Sequence, residues 1–294
     1  MADRLLISLG NNSSLLDNFT CKLNFEFATK DLGPLSYFLG LEATTTSDGL
    51  FISQLKYARD ILTRAQLLNN KLILHFTNLL LALSNHFLVV KRILRYVKGT
   101  LHFGLTFHPS AAPGALVAYS DVDWAGYPDT RRSTSGYSIY LGGNLVSWSA
   151  KKQPTISRSN YESKYHALAL IAAKLLWLMH LLGDLKVSIP QRPLLLCAIF
   201  LSSNPVSHKR VKHVELDYHF LRELVLTSNL RTQYVPSHFQ VADIFTKSVS
   251  KPLFELFPSK LHVRSNPKLS LRGGVKDHAK DPQPQFKAFH LHSL

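Results

Sequence analysis

The sequence contains few cysteines and few acidic residues. Only two of its 294 residues are cysteine, Cys21 and Cys197, too few for a disulfide framework or a cysteine-based metal knuckle. This usage fits a reducing compartment. Nineteen Asp and Glu residues stand against 34 Lys and Arg residues, so the formal net charge is +15 at pH 7. The imbalance favours a polyanionic partner, nucleic acid first and a membrane surface second, although a basic soluble protein without such a partner is the alternative.

The sequence also lacks an uninterrupted apolar run of about 20 residues, the length that a membrane-spanning helix requires. His75 and Asn78 interrupt the first of its two most apolar stretches, and Lys174 and His180 interrupt the second. The opening residues MADRLLISLG have neither the basic start nor the apolar core of a secretory signal. We therefore expect a soluble protein, cytoplasmic or nuclear, with no membrane partner. The sequence gives no indication of its oligomeric state.

Four regions follow one another along the chain. Residues 1–107 mix strand-like and helical patterns, and residues 108–114 contain two prolines and a glycine, which predicts a linker. Residues 115–248 contain three strands, a long helix, a short strand, a helix, a strand and a last helix through QVADIFTK. This order predicts an α/β sheet with mixed strand directions. Residues 249–294 are proline-containing and basic without a hydrophobic period, which predicts a largely disordered tail.

Two acids one residue apart, Asp121 and Asp123, follow the apolar strand pattern LVAYS. Side chains two positions apart on a strand share a face. Two like charges held close together are unfavourable unless a cation neutralises them. A divalent metal is one solution, because Mg²⁺ binds a few carboxylates together with water and phosphate oxygens. A solvated strand end before a turn is the alternative, and the spacing alone favours that alternative.

Long motifs identify a family. The segment VAYSDVDWAGYPDTRRSTSGYSIYLGGNLVSWSAKKQPTISRS resembles the ribonuclease H domain of the copia-type long-terminal-repeat retrotransposon Pol polyprotein, in a plant-like form, and VKHVELDYHFLRE and YVPSHFQVADIFTKSVS continue the match. Upstream, KDLGPLSYFLGLEATTTSDGLFISQLKYARDIL and VVKRILRYVKGTLHFGLTF resemble the C-terminal part of its reverse transcriptase. The resemblance implies a ribonuclease H-like five-stranded mixed sheet with flanking helices. A truncated reverse-transcriptase remnant, unable to polymerise DNA, would precede it.

The chemistry that the resemblance implies is cleavage of RNA in RNA–DNA hybrids. In this family, about four acids hold two Mg²⁺ or Mn²⁺ ions that flank the scissile phosphate. Asp121 matches the first acid and Asp243 the last, and Asp123 is also typical of the family, so these three are the expected metal ligands. His238, in the loop before Asp243, is a weaker candidate for proton transfer.

The two middle acids depart from the family pattern. Glu162 matches an acid near the start of the long helix, but the alignment on the following YxAL places Lys164 at the metal-facing position. Two residues along a helix correspond to a turn of about 200°, so Glu162 is a doubtful replacement. Ala198 stands where the family has the third acid. We therefore predict an inactive, degenerate ribonuclease H that binds nucleic acid. A still-active hybrid endonuclease and a translated pseudogene that does not fold stably are the alternatives.

Basic clusters predict how nucleic acid is held, although a solvated face is the favoured alternative for each cluster by itself. Hybrid duplexes are recognised through shape, phosphates and 2′-hydroxyls, so binding is expected to depend on salt and little on sequence. The candidate backbone contacts are Arg131, Arg132, Lys151, Lys152, Lys209, Arg210 and Lys212. Trp148, Trp177 and Tyr165 are possible stacking platforms. Trp177 and Tyr165 lie in an apolar helix, which favours core packing for both.

Overall fold

A computed structural model gives the fold. It describes residues 4–10, 18, 21–22, 25, 29–34, 37–38, 40–67, 84–109, 114–187, 189–197, 215–248, 258–266 and 285–291. The chain divides into two compact units, residues 1–109 with 263–294 and residues 110–262. The domain limits given by the sequence remain predictions, although the division after residue 109 falls inside the proposed linker.

The first unit is built on antiparallel strands. Its described elements are β1 Arg4–Gly10, β2 Thr29–Pro34, β3 Tyr37–Phe38, β4 Leu41–Thr46, β5 Gly49–Ser53, α1 Leu55–Arg64, α2 Ser84–Gly99, β6 Phe103–Phe107, β12 Val263–Ser265 and β13 Gln285–Leu291. One sheet has the order β12-β6-β5-β4-β3 and another the order β1-β13-β2. Gly49 begins β5 with φ +132°, and a Cβ there would overlap the backbone oxygen of Phe107. Glycine is therefore required at this tight connection.

Two of these strands lie in the region that the sequence analysis assigned to a largely disordered tail. Strand β12 pairs with β6, and β13 pairs with both β1 and β2. The tail thus contains regular structure at residues 263–265 and 285–291. A compositional argument averages over the whole segment and does not detect short strands that are stabilised by distant partners.

The second unit contains a five-stranded mixed sheet. Its elements are β7 Leu116–Asp123, β8 Thr134–Leu141, β9 Asn144–Lys152, α3 Asn160–Asp184, β10 Leu194–Cys197, α4 Glu215–Leu226 and β11 Arg231–Tyr234. The strand order is β11-β10-β7-β8-β9. Strands β7, β8 and β9 form an antiparallel meander, whereas β10 runs parallel to both β7 and β11. The expected α/β class, with a five-stranded mixed sheet and flanking helices, is confirmed.

One face of this sheet carries the core. Alternate residues of β7, β8 and β10 are buried against the apolar sides of α3 and α4, and the central members are Leu116, Ala118, Ile139, Leu168, Ile171, Leu175, Leu195 and Leu221. Helix α3 is long and apolar enough to cross a membrane by length and composition alone. The core helix of a soluble protein has the same properties, and six of the nine buried residues of α3 belong to this core.

The predicted last helix differs in type from the observed one. The segment QVADIFTK contains a 3₁₀ helix, Val241–Phe245, which follows a shorter 3₁₀ helix, Ser237–Phe239. Gln240 between them is extended, and its side-chain oxygen accepts a hydrogen bond from the backbone N–H of Ala242. The tighter 3₁₀ turn, rather than an α-helix, positions Asp243 and the residues after it.

Candidate functional site

Asp121 lies near the end of β7, directly across from Gly136 on β8. Its side chain is only 4% exposed. The hydroxyl of Thr246 donates a hydrogen bond of 2.6 Å to Asp121 Oδ2. Lys247 Nζ lies 2.9 Å from the same oxygen. A buried carboxylate requires such partners, because desolvation disfavours its charged form.

The 3₁₀ segment reaches Asp121 because Gly136 has no side chain. A Cβ at Gly136 would lie 2.6 Å from Thr246 Cγ2 and 2.7 Å from Phe245 Cβ. The buried side chain of Gln240 also attaches the segment to the sheet, because its Nε2 donates a hydrogen bond of 3.1 Å to the backbone oxygen of Ser120. This close packing brings Asp243 to the same place as Asp121.

Lys247 bridges the two acids. Its Nζ is 2.9 Å from Asp121 Oδ2 and 3.0 Å from Asp243 Oδ1. Asp243 is four residues before Lys247, and Asp121 comes from the sheet. One ammonium group therefore joins the 3₁₀ segment to β7.

The pKa directions follow from burial and this bridge. Burial raises the pKa of Asp121, but hydrogen bonds from Thr246 and Lys247 and the charge of Lys247 outweigh it, so the pKa lies below its ordinary value. Burial and the Asp121 charge raise the pKa of Asp243, despite the contact with Lys247. Burial lowers the pKa of Lys247, but the two carboxylates outweigh it and raise the pKa above its ordinary value. Lys247 is therefore charged at neutral pH.

Asp123 does not join this pair, which corrects the expected trio of metal ligands. Its carboxylate lies over the turn that follows β7, where a Cβ on Gly126 would overlap it. Asp121, Asp123 and Asp243 are all described, yet no group of three or more His, Cys, Asp or Glu side chains that could hold a metal occurs among the described residues. The carboxylate of Asp123 instead lies against the turn at Gly126.

Glu162 caps the N-terminus of α3. The N-cap Ser159 accepts a hydrogen bond of 3.1 Å from the backbone N–H of Glu162, and Glu162 Oε2 accepts one of 2.7 Å from the backbone N–H of Arg158. The other oxygen, Oε1, lies 3.7 Å from His166 Nε2. The spacing Ser-x-x-Glu is a capping-box signature, so the sequence already contained this signal. These contacts account for both carboxylate oxygens without Asp121. Lys164, which the resemblance implies at the metal-facing position, is half-buried.

His238 is exposed within the short 3₁₀ helix, with its ring centroid 4.1 Å from that of Phe239. Its role in proton transfer stays a prediction.

The structure brings two of the basic clusters together. Arg131 and Arg132 lie in the connection between β7 and β8, separated from the start of β8 by Ser133. Lys152 and Lys151 pair with the first two residues of β8, at the end of β9. Lys152 Nζ also lies 3.9 Å from the ring centroid of Tyr127 in the same connection. We call Arg131, Arg132, Lys151 and Lys152 the basic end of the sheet. The third cluster, Lys209, Arg210 and Lys212, lies outside the described residues, as does Ala198.

The burial of the aromatic residues agrees with the prediction for one residue and contradicts it for another. Tyr165 is 2% exposed and belongs to the core, as expected. Trp177 is 49% exposed, with Lys174 Nζ 3.8 Å from its ring centroid, so core packing was wrong for this residue. Trp148 is 51% exposed on the edge strand β9. Trp124, which no sequence pattern singled out, is 45% exposed and donates a hydrogen bond of 3.2 Å from Nε1 to the backbone oxygen of Ser157.

The buried side-chain amide of Gln153, which no sequence pattern predicted, connects the elements at this end of the sheet. Gln153 Nε2 donates hydrogen bonds of 2.8 Å to Ser135 Oγ and 2.9 Å to the backbone oxygen of Ser163. Its Oε1 accepts one of 3.1 Å from Ser157 Oγ. Gln153 thereby links β8, the loop after β9 and the start of α3.

Comparisons with known proteins show extensive similarity. No family model matches the chain. The retrovirus-related Pol polyprotein from transposon RE1 of Arabidopsis thaliana is 34% identical over 315 residues, covering 90% of this chain and 21% of the polyprotein. An uncharacterized mitochondrial protein of the same plant is 38% identical over 222 residues, covering 60% of this chain and 91% of that protein. The chain thus spans about a fifth of the polyprotein and nearly all of the mitochondrial protein.

Among solved structures, LC11-RNase H1, isolated from compost, is 15% identical and covers 45% of this chain and 93% of its own, with a TM-score of 0.36.

Proposed function

Because this chain belongs to the copia-type family of retrovirus-related Pol polyproteins of plant transposons, we propose that its second unit binds the sugar–phosphate backbone of an RNA–DNA hybrid without cleaving the RNA. The observation that carries the proposal is the basic end of the sheet, next to the paired acids Asp121 and Asp243. The chemistry of this family cleaves the RNA strand, so the proposal separates binding from cleavage.

The residues present do not fit two divalent ions. Two Mg²⁺ or Mn²⁺ ions bring four positive charges, which about four acids offset in a site of this class. Here Asp121 and Asp243 are paired and already share the ammonium of Lys247. Lys164 and Ala198 stand at the positions of the two middle acids. These residues therefore support no hydrolytic step that uses two metal ions.

The basic end supports backbone binding. Two of its cationic side chains come from the connection between β7 and β8 and two from the end of β9, which pairs with the start of β8, so they can contact neighbouring phosphates rather than isolated ones. Phosphate contacts fix the position of a protein on a duplex but do not read sequence. Binding at this surface should therefore be strongly dependent on salt and weakly selective for sequence.

The experiment compares hybrid affinity across salt concentrations for the wild type and a variant with Arg131→Gln and Arg132→Gln, by fluorescence anisotropy of a labelled hybrid. Each lost phosphate contact should reduce the slope of log affinity against log salt by about 0.7–0.9. The matched control is Lys186→Gln, an exposed lysine beyond the C-terminal end of α3. An equal effect of both variants would show that the contacts are not made at the basic end.

One observation favours a second candidate, a working metal-dependent hybrid endonuclease. Asp121 and Asp243 do lie together, and the lowered pKa of Asp121 keeps this carboxylate ionised at neutral pH. A single divalent ion that displaced Lys247 would meet both acids. Cleavage of the hybrid that requires Mg²⁺ or Mn²⁺ would support this candidate over binding alone.

A further inference from the structure

We infer that the ammonium group of Lys247 is the resident cation of the paired acids Asp121 and Asp243, and that it keeps divalent metal ions from this pair. The inference goes beyond the proposed function, because it concerns what holds this site together rather than what the basic end binds.

The ammonium of Lys247 lies between the two carboxylates. The ammonium of Lys247 contacts one oxygen of each acid, at 2.9 Å and 3.0 Å. The two carboxylates are 4% and 18% exposed. Two carboxylates held this close are unfavourable without a cation between them. Lys247 supplies that cation from within the chain.

One oxygen of each carboxylate already accepts hydrogen bonds from the protein. Asp121 Oδ2 already accepts from both Thr246 and Lys247, and Asp243 Oδ1 accepts from Lys247. Mg²⁺ requires a near-octahedral set of oxygens at short distance. A metal ion that entered between these acids would have to displace the ammonium of Lys247. The ammonium would then lie beside the positively charged metal ion without a carboxylate partner.

The charge balance leads to the same conclusion. Two carboxylates and one ammonium sum to −1, so a divalent ion added beside Lys247 would leave the group at +1. Without the ammonium, the two carboxylates sum to −2, which matches one divalent ion. Removing the charge of Lys247 should therefore create a metal site that the wild type lacks.

Lys247 also attaches the last 3₁₀ helix to the sheet. The 3₁₀ helix Val241–Phe245 packs on the bare Cα of Gly136, and the residue pair Thr246 and Lys247 ties its end to Asp121. These contacts fix the segment against β7 and β8 with groups of the protein alone.

The test measures Mn²⁺ binding by electron paramagnetic resonance to the wild type, Lys247→Gln and Lys247→Arg. We expect Lys247→Gln to bind Mn²⁺ at least about tenfold more tightly than the wild type, because the paired acids lose their cation. Lys247→Arg, which retains a positive charge, should not gain binding. The double variant Lys247→Gln with Asp121→Asn should lose the gain.

A second measurement covers the case in which Lys247→Gln does not fold. Thermal unfolding of the wild type is followed with and without millimolar Mn²⁺, beside Asp121→Asn. A ligand that binds only the folded state raises the unfolding temperature. No rise in the wild type supports the inference. A rise in the wild type that disappears in Asp121→Asn would overturn it, as would wild-type Mn²⁺ binding as tight as that of Lys247→Gln. Hybrid affinity is measured separately, so failure of either proposal leaves the other testable.

Discussion

Replacing Gly136 with alanine tests how the last 3₁₀ segment is held against the sheet. The new methyl group would lie 2.6 Å from Thr246 Cγ2, 2.7 Å from Phe245 Cβ and 3.2 Å from the backbone oxygen of Ala242. The first two distances are too short for carbon–carbon contacts, so the segment must move away from β8. Thr246 and Lys247 move with it, and their contacts to Asp121 lengthen.

The expected cost follows from the overlap. Forcing a methyl group into a closely packed site costs about 1–3 kcal/mol. The reduced freedom of the unfolded chain offsets about 0.4–1 kcal/mol of this. We therefore expect Gly136→Ala to lower the free energy of unfolding by about 1.3 kcal/mol, the difference between the midpoints of these two ranges.

Urea denaturation followed by tryptophan fluorescence measures this change. All three tryptophans, Trp124, Trp148 and Trp177, belong to the second unit, so their signal reports that unit alone. The matched control is Gly183→Ala near the end of α3, where an added Cβ meets no atom within 4 Å. The control should be neutral or stabilising by up to about 1 kcal/mol. A variant at Gly136 as stable as the wild type would refute the close packing of the 3₁₀ segment on β8.

Three further changes test other parts of the second unit. Gln153→Ala should lower the free energy of unfolding by about 1–3 kcal/mol in the same urea assay, because Ser135 Oγ and the Ser163 oxygen lose their shared donor; an unchanged midpoint would contradict this. Ser159→Ala should cost about 1 kcal/mol by removing the N-cap of α3 while leaving hybrid affinity unchanged, and weaker hybrid binding would show that this cap has a second role. Burial lowers the pKa of Lys247, but its contacts with the two carboxylates outweigh burial and raise the pKa above the ordinary value of 10.5. The stabilising contribution of the charged lysine is therefore complete below pH 10.5 and is lost as the pH rises through the folded-state pKa. The stability difference between the wild type and Lys247→Gln should therefore shrink above that pH, and a constant difference would indicate that charge is not involved.

Features set by local pattern could be predicted from the sequence. The turn at Asp48-Gly49 joins two strands as its composition indicates. Alternation of apolar residues predicted β7, and the order of strands and helices predicted a mixed sheet. The resemblance further directed attention to Asp121 and Asp243, which do lie together.

Features set by distant contacts could not be predicted. Lys247 acquires its role only when packing brings it to a residue 126 positions earlier, which no local pattern encodes. The exposure of Trp177 depends on which side of α3 faces the sheet, and an apolar helix does not define that side clearly. The capping role of Glu162, in contrast, follows from a local pattern, because the N-cap Ser159 lies three residues before it.

The most direct test of the account is incubation of the purified protein with a labelled RNA–DNA hybrid, with Mg²⁺ or Mn²⁺, beside an Asp121→Asn control. Binding and cleavage are read from the same samples. The account predicts salt-sensitive binding by both proteins and no cleavage by either. Metal-dependent cleavage by the wild type that is lost in Asp121→Asn would contradict it, because the two paired acids would then assemble a working site despite Lys247. Absence of both binding and cleavage would contradict it as well, and would favour a chain that does not fold stably.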